Sequence, residues 1–523
     1  MPPHTVVVLG GGISGLSVAF YLARTLPLSS RVLLLERSER VGGYIRSPAL
    51  AGDAAQLHPR VTLEAGPRTL RPNSTAVLEL INVLGLESSL ITVTKTDPAA
   101  KARYMYMPPL TLLPSSLASL LASPLNSSLR PLLPAIFREI TARSNRPSEV
   151  HDESVHAFIA RRFGENFARQ FLSTIIHGVY AADSRRLSIR AAFPSMWEAE
   201  EVGNGSILWG FIKQAIRGES GPAADAPTYD LGSIESKMRG VSIFTFQGGM
   251  ETLARSLYDW LLTRPNVEVR LGVDITSIEP VENGIKVNFL VETSTGSLPF
   301  LPERVISTIP LPILEPLIPT SHKLPHLTHN SASSVTVINF VFPPTPKPIH
   351  PTGFGYLIPR PIADYPKEAP EGTDMSYALL GTVFDDAIPT TPLESVSVEP
   401  SDSSSSLQPS RLTCMLGGPY PLPSPLPPLE DIVPPLLRTL ASHLGIAPTD
   451  IPEPLHVAIH EQKDCIPTYD VGHVERMREL SVALGDGGAW RGRMDVIGTG
   501  VGGISVGDSV KAARETALKL SQK

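Results

Sequence analysis

The chain opens on a short β-branched run, Val6–Leu9, then glycines, then a stretch from Leu16 to Arg24 with apolar residues at helical spacing. A second apolar run, Arg31–Leu35, ends at Glu36. Strand, glycine turn, helix and strand within about 30 residues predict a β-α-β unit. Residues 110–225 turn mostly helical in pattern, and Val155–Phe163 and Asn166–Ile176 each carry one apolar face. Residues 264–300 alternate instead, at Val267, Val269 and Leu271 and again at Ile285, Val287 and Phe289, which predicts half-buried strands. Val335–Val341 reads as a further strand and Pro435–Leu444 as a helix. The C-terminal part predicts a strand at Met494–Ile497, a glycine-rich turn and a helix over Val506–Leu520. No internal repeat is present.

Composition changes this picture in two places. The length of 523 residues suggests about three domains. The 52 prolines are about twice the usual share. Many lie in a serine-rich stretch, 386–410, expected to be a flexible insertion loop, and in Pro421–Pro435, expected to be an extended connection. With 42% hydrophobic residues the chain is expected to fold around packed cores. Positions 104–129 carry no charge, longer than the ~20 residues that span a bilayer. Pro108, Pro109, Pro114 and Pro124 argue against a continuous spanning helix. Leu117, Leu120, Leu121, Leu125, Leu129, Leu132, Leu133, Ile136 and Phe137 follow helical spacing. That leaves two readings, the inner face of a helical subdomain or a patch that lies on a membrane surface.

Charge and cysteine content exclude some classes. Lys plus Arg is 45 and Asp plus Glu is 51, a net charge of −6, which argues against a general nucleic-acid binder. Cys414 and Cys465, the two cysteines, are too few for a disulfide framework or a cysteine-built zinc site, and no metal site is expected. Both read as thiols without a redox task. Met1–Thr5 has no basic region, so no secretory signal is expected.

The candidate chemistry begins at Gly10, Gly11, Gly12, Ile13, Ser14 and Gly15, between the first strand and its helix. Glycines at 10, 12 and 15 fit the dinucleotide fingerprint: a tight turn, close approach of backbone to a pyrophosphate, and close helix packing with the helix N-terminus facing the phosphates. Glu36, at the end of the second strand, is placed to bind ribose hydroxyls. Arg40-Val41-Gly42-Gly43 follows and resembles the second half of the FAD fingerprint in two-domain flavoproteins of the amine-oxidase type, with Arg40 available to offset phosphate charge. Gly498-Thr499-Gly500-Val501-Gly502-Gly503-Ile504 resembles the C-terminal segment of that superfamily, which returns to the flavin with a helix N-terminus toward the isoalloxazine.

Further blocks narrow the resemblance. Glu64-Ala65-Gly66-Pro67-Arg68, Arg103-Tyr104-Met105-Tyr106, His177-Gly178-Val179-Tyr180-Ala181-Ala182-Asp183, Gln247-Gly248-Gly249-Met250, Gly353–Pro359, Met415–Gly418, Cys465–Tyr469 and Gly503–Asp508 occur in order along the chain. Together they resemble the oxygen-dependent protoporphyrinogen oxidase family. The insertion at 386–410 and the proline-rich stretch after it depart from the compact pattern of that family.

The resemblance implies an α/β and α+β protein. A Rossmann-like FAD-binding domain would be built from 1–103, 226–300 and 476–523, with a helical membrane-binding domain at 104–225 and an interleaved mixed-sheet substrate domain at 301–475. It implies FAD contacts at the glycines from Gly10 to Gly15, Glu36, Arg40, Gly43, Tyr44, Gly66, Pro67, Arg68, Thr69, Ile275, Val474, Ile504, Ser505 and Val506. Position 474 departs from relatives that carry Trp there. Arg103 would anchor a substrate propionate, while Phe354, Leu357 and Met415 line an apolar slot and Gly355 admits the ring. His177 and Asp183 sit in a stretch that reads as a polar loop, and a structural role is expected for both.

The activity implied is oxidation of protoporphyrinogen IX to protoporphyrin IX with O2 as acceptor and H2O2 as product, the penultimate step of haem biosynthesis. Flavin N5 would accept hydride, so no catalytic base is nominated. The resemblance also implies a monotopic protein of the mitochondrial inner membrane, a homodimer and contact with ferrochelatase. Two other readings stand beside it: a different oxidase or desaturase of the amine-oxidase fold, and an FAD-stabilised binding protein of the haem pathway without turnover.

Overall fold

A computed structural model describes residues 5–50, 61–113, 132–141, 146, 149–217, 228–291, 294–372, 374–389 and 409–522. The charge-free segment from 114 on, with Leu117 to Leu129 of the apolar spacing, and most of the serine-rich insertion, 390–408, lie outside the described residues.

The first strand, Thr5–Leu9, is the middle of a five-stranded parallel sheet in the order 494–496, 304–307, 5–9, 31–35, 267–270. Side chains alternate across a strand, and here both faces are covered. Val6 and Val8 face a core made with the helices Ile13–Thr25, Thr75–Val83, Glu251–Leu262 and Val506–Ser521. Val7 and Leu9 face a second core shared with an antiparallel sheet of 273–281, 284–291 and 294–297, and with Leu311, Leu314 and Trp490. A strand apolar on both faces is therefore what a parallel sheet at the centre of three layers requires.

A seven-stranded sheet makes the second body, in the order 456–467, 332–342, 410–417, 379–384, 355–357, 104–106, 110–112. The helix Leu429–Leu444 covers it with Ile432, Leu436 and Leu440. This helix starts ahead of its expected beginning at Pro435 and contains Pro434 and Pro435. A helical body follows from Leu132–Thr141, Val155–Phe163, Ser173–Tyr180, Pro194–Val202 and Ile207–Ile216 around Phe158, Leu172, Ile176 and Trp197. Its buried charges pair: Glu200 meets Arg146 and Arg161, and Arg162 meets Glu139.

Three expectations need correction. Residues 104–112 do not join the helices. Tyr104–Tyr106 pairs with Leu110–Leu112 as a hairpin and with Gly355–Leu357 as a parallel neighbour, so it ends the seven-stranded sheet. Arg304–Ser307 does not belong with the second body, because it pairs in register with Val6–Leu9 inside the parallel sheet. His177 is not in a loop: it lies in the last turn of a helix and is buried, because a π-helical turn at Ala168–Leu172 lets the helical path run on to Tyr180, whereas Asp183 does lie in the turn that follows.

Candidate active site: a glycine cradle opening on an apolar lobe

The N-terminal glycines do three different things. Gly10 takes a φ of 98° and donates its N–H to the Leu35 carbonyl at 2.8 Å. Gly15 packs so tightly that a Cβ there would lie 1.8 Å from the Gly10 carbonyl oxygen. Gly12 is the opposite case: a Cβ would meet no protein atom closer than the Gly43 Cα at 4.0 Å, so its front is open. The helix that begins at Ile13 has no side-chain cap, so its first N–H groups point into that opening.

Glu36 accepts hydrogen bonds from Gly11 N at 2.5 Å and Ser38 N at 2.7 Å. A carboxylate has about four acceptor positions, so the two oxygens keep capacity for ribose hydroxyls. Arg40 also lines the cavity. Its guanidinium donates to the carbonyls of Gly43, Val41 and Ile45 at 2.6, 3.0 and 3.4 Å, which fastens the second glycine turn around itself.

These residues line one cavity of about 1500 Å³. Gly10, Gly12, Ile13 and Ser14 line it, as do Glu36, Arg40, Gly43, Tyr44 and Ile275. Gly66, Pro67, Arg68 and Thr69 form a side, and Ile504, Ser505 and Val506 another. Gly11 and Gly15 stand behind this wall. Val474 does not join it: it is exposed, one residue into the helix His473–Leu484. Ser505 caps the last helix by accepting from Asp508 N, and the Asp508 carboxylate accepts from Ser505 N in return. The positive end of that helix therefore faces the cavity.

Arg68 joins the cradle to the second body. It donates to the Glu64 carbonyl at 3.0 Å and to Asp385 at 2.6 Å. Asp385 also accepts from Thr413 Oγ1 at 2.6 Å, and Asn339 donates to Thr413 Oγ1 at 2.7 Å. The Glu64 side chain accepts from Ser47 Oγ at 2.7 Å and Met250 N at 2.8 Å. Burial pushes its carboxyl up to about 7.

Beyond the cradle the cavity continues into an apolar lobe. Val335 and Val337 come from one face of the strand Ala332–Phe342, Leu380 and Val383 from a second strand and Met415 from a third. His177, Gly178, Val179 and Ala181 close the lobe from the helical body. Of the expected substrate residues Met415 alone lines it directly. Leu357 stands one layer behind, pressed on Gly178, where a Cβ would come within 2.5 Å of Leu357 Cδ1. Gly355 serves strand pairing rather than ring approach, since a Cβ there would meet the Thr382 carbonyl at 2.1 Å. Phe354 is half-buried outside the lining, and Arg103 is exposed with its carbonyl accepting from Leu113 N. The missed wall residues carried a signal: Val335 and Val337 alternate, as one face of a strand does.

Both cysteines stay protonated at neutral pH. Burial pushes Cys414 up to about 12 and Cys465, which lines the cavity, up to about 11. Among the described residues no cluster of His, Cys, Asp or Glu could hold a metal ion.

The open floor at Gly12, the acceptor Glu36 and two helix N-termini facing one elongated cavity fit a dinucleotide. Residues 13–399 match the model of the flavin containing amine oxidoreductase family. The chain is 31% identical over 531 aligned positions to a protoporphyrinogen oxidase of Schizosaccharomyces pombe, with 99% of this chain and 98% of that one covered. It is 32% identical to the protoporphyrinogen oxidase of Bos taurus over the same shares of the two chains. A crystal structure of a candidate protoporphyrinogen oxidase from Exiguobacterium sp. 255-15 superposes with a TM-score of 0.71 at 19% identity, covering 100% of this chain and 99% of the other. With its cavity built for FAD, the chain belongs to the flavin containing amine oxidoreductase family.

Proposed function

We propose that this chain oxidises protoporphyrinogen IX to protoporphyrin IX, passing six electrons to three O2 and releasing three H2O2. One observation carries the reading: a single cavity runs from the glycine cradle to a lobe walled by Val335, Val337, Leu380 and Met415. Apolar walls of that kind suit a large, mostly apolar macrocycle next to a redox cofactor. The names of the S. pombe and Bos taurus relatives, matched over 98% of their own lengths, support the same substrate.

FAD supplies, when bound, an acceptor for hydride from the macrocycle. The protein's residues do the rest. The Gly12 floor, the Ile13 helix N-terminus and Glu36 would hold the cofactor, and the Ser505-capped helix directs positive potential into the cavity. The valines, Leu380 and Met415 exclude water and orient the ring. His177 is kept neutral by burial, which lowers it to about 4, so it places no charge beside the macrocycle.

A membrane surface belongs to this proposal. Among the described residues no helix is long and apolar enough to cross a membrane. Phe137 on one helix and Trp209, Phe211, Ile212 and Ile216 on the helix packed against it are exposed, as are Ile175 and Val179. Val179 also lines the cavity, which suits a substrate that arrives from an apolar phase. Location at the mitochondrial inner membrane, a homodimer and contact with ferrochelatase enter through the resemblance to the family. Mixing the anaerobic flavoprotein with protoporphyrinogen IX tests the function: bleaching of the flavin supports it, and bleaching by an amine alone overturns it.

A further inference from the structure

We propose that His177 is a positioning residue that sets the helical wall of the lobe against the sheet, and thereby the width of the slot for the macrocycle. The proposal rests on the functional reading above. His177 lies in the last helical turn before Ala181, is 2% exposed and lines the cavity. Its two ring nitrogens reach across to a different body. Nδ1 lies 2.7 Å from the Ile358 carbonyl and Nε2 lies 2.7 Å from the Tyr365 hydroxyl.

The chemistry of these partners assigns the proton. A carbonyl can only accept, so Nδ1 carries the hydrogen and donates it to Ile358. A neutral imidazole then has its lone pair on Nε2, and the Tyr365 O–H donates to it. The two bonds thus select one tautomer and one ring orientation. The charged form is disfavoured chiefly by burial; the bond to the Ile358 carbonyl and Asp183 favour it and Arg360 opposes it. The rings of Tyr365 and Tyr420 face the imidazole at centroid distances of 5.8 and 6.1 Å.

The consequence is geometric. Ile358 follows Leu357, and Leu357 fills the space between Gly178 and Gly381, where Cβ atoms would lie 2.5 and 2.7 Å from its methyl carbons. The His177–Ile358 bond joins residues adjacent to both sides of the Gly178–Leu357 contact. It therefore fixes how far the Gly178–Val179 backbone stands from the strands that carry Leu380 and Met415. Tyr365 is itself held, because Asp364 accepts two bonds from Arg185 at 2.7 Å, and Arg185 also pairs with Asp183. A core position would be filled at lower cost by leucine, whereas this imidazole spans two bodies at the edge of the cavity.

The test uses full-length holoenzyme and steady-state kinetics with protoporphyrinogen IX, the wild type first. Tyr365→Phe removes one hydroxyl and is expected to raise KM several-fold with kcat, FAD content and flavin spectrum unchanged. His177→Leu keeps bulk and loses both bonds; a KM rise of about tenfold or more is expected, the effect of roughly one such bond. His177→Asn, whose amide can donate to Ile358 in place of Nδ1, is expected to recover most of the loss. An unchanged KM in Tyr365→Phe and His177→Leu overturns the proposal, as does an equal loss of FAD and activity in the Leu and Asn variants. If His177→Leu does not fold, Tyr365→Phe decides by the same criterion. A wild type that does not oxidise protoporphyrinogen overturns the functional reading itself; a failure confined to the variants overturns the role of His177 alone.

Discussion

Tyr469 and His473 stack with ring centroids 4.1 Å apart and planes 13° from parallel, and each holds the closing glycine turn of the cavity by one carbonyl. The Tyr469 hydroxyl donates to Thr499 O, and His473 Nε2 donates to Val501 O at 2.9 Å. Asn330 donates to the other imidazole nitrogen at 2.7 Å, so the ring is neutral and its tautomer fixed. Burial lowers His473 below the usual imidazole range. Thr499 lines the cavity, so the pair positions the turn from behind.

Tyr469→Phe leaves the Thr499 carbonyl without this donor, a cost of about 1–3 kcal/mol. FAD retention is expected to fall by about fivefold or more, read from flavin fluorescence released on dilution. His473→Ala removes a hydrogen bond and the stack together and is expected to lose more.

The glycines of the cradle separate folding from cofactor binding. Gly12 has open space before it and an ordinary negative φ of −70°. Gly12→Ala is therefore expected to leave the melting temperature of the apoprotein unchanged while FAD affinity falls at least about tenfold, because the methyl occupies the place of the pyrophosphate. Gly15→Ala forces a Cβ within 1.8 Å of the Gly10 carbonyl, and is expected to lower apoprotein stability as well. Thermal melts with and without added FAD distinguish the two.

This contrast shows what was legible in the sequence. The glycine fingerprint and Glu36 work through neighbours near in sequence, so spacing alone located them. Arg40 was read by its charge; its bonds to nearby backbone carbonyls, which hold the second glycine turn, had no signal in the spacing. The lobe was largely illegible, because its walls come from strands paired across long separations, such as Val337 with His460 and Met415. Arg103, placed by family motif, lies just ahead of the strand Tyr104–Tyr106 and is exposed. His177 was read as loop together with the glycine after it and the polar residues from Asp183 on, although a helix carries it into the core.

Glu64 predicts a pH dependence of stability. Its folded pKa of about 7 lies above the ordinary 4.5, with burial as the main cause. Between these values the folded state binds more protons than the unfolded state, so stability falls as pH rises through this window and levels off above it. Glu64→Gln, which does not titrate, is expected to flatten this slope in melting temperatures taken from pH 4.5 to 7.5.

The exposed apolar helices predict surface binding. Replacing Phe137 and Ile216 by serine removes two side chains that are 71% and 80% exposed. Flotation with phosphatidylcholine vesicles is expected to fall about tenfold or more, since each apolar side chain contributes roughly 1.5–3 kcal/mol when buried. FAD content is expected to stay unchanged, because neither residue lines the cavity.

In the proposed function one cavity holds FAD and an apolar macrocycle side by side. Anaerobic mixing of the purified flavoprotein with protoporphyrinogen IX, followed by absorbance of the flavin, tests it most directly. Full bleaching of the oxidised flavin is expected, with protoporphyrin IX formed in the ratio of one per three flavins reduced. A flavin that stays oxidised with protoporphyrinogen, and bleaches with an amine, would contradict it.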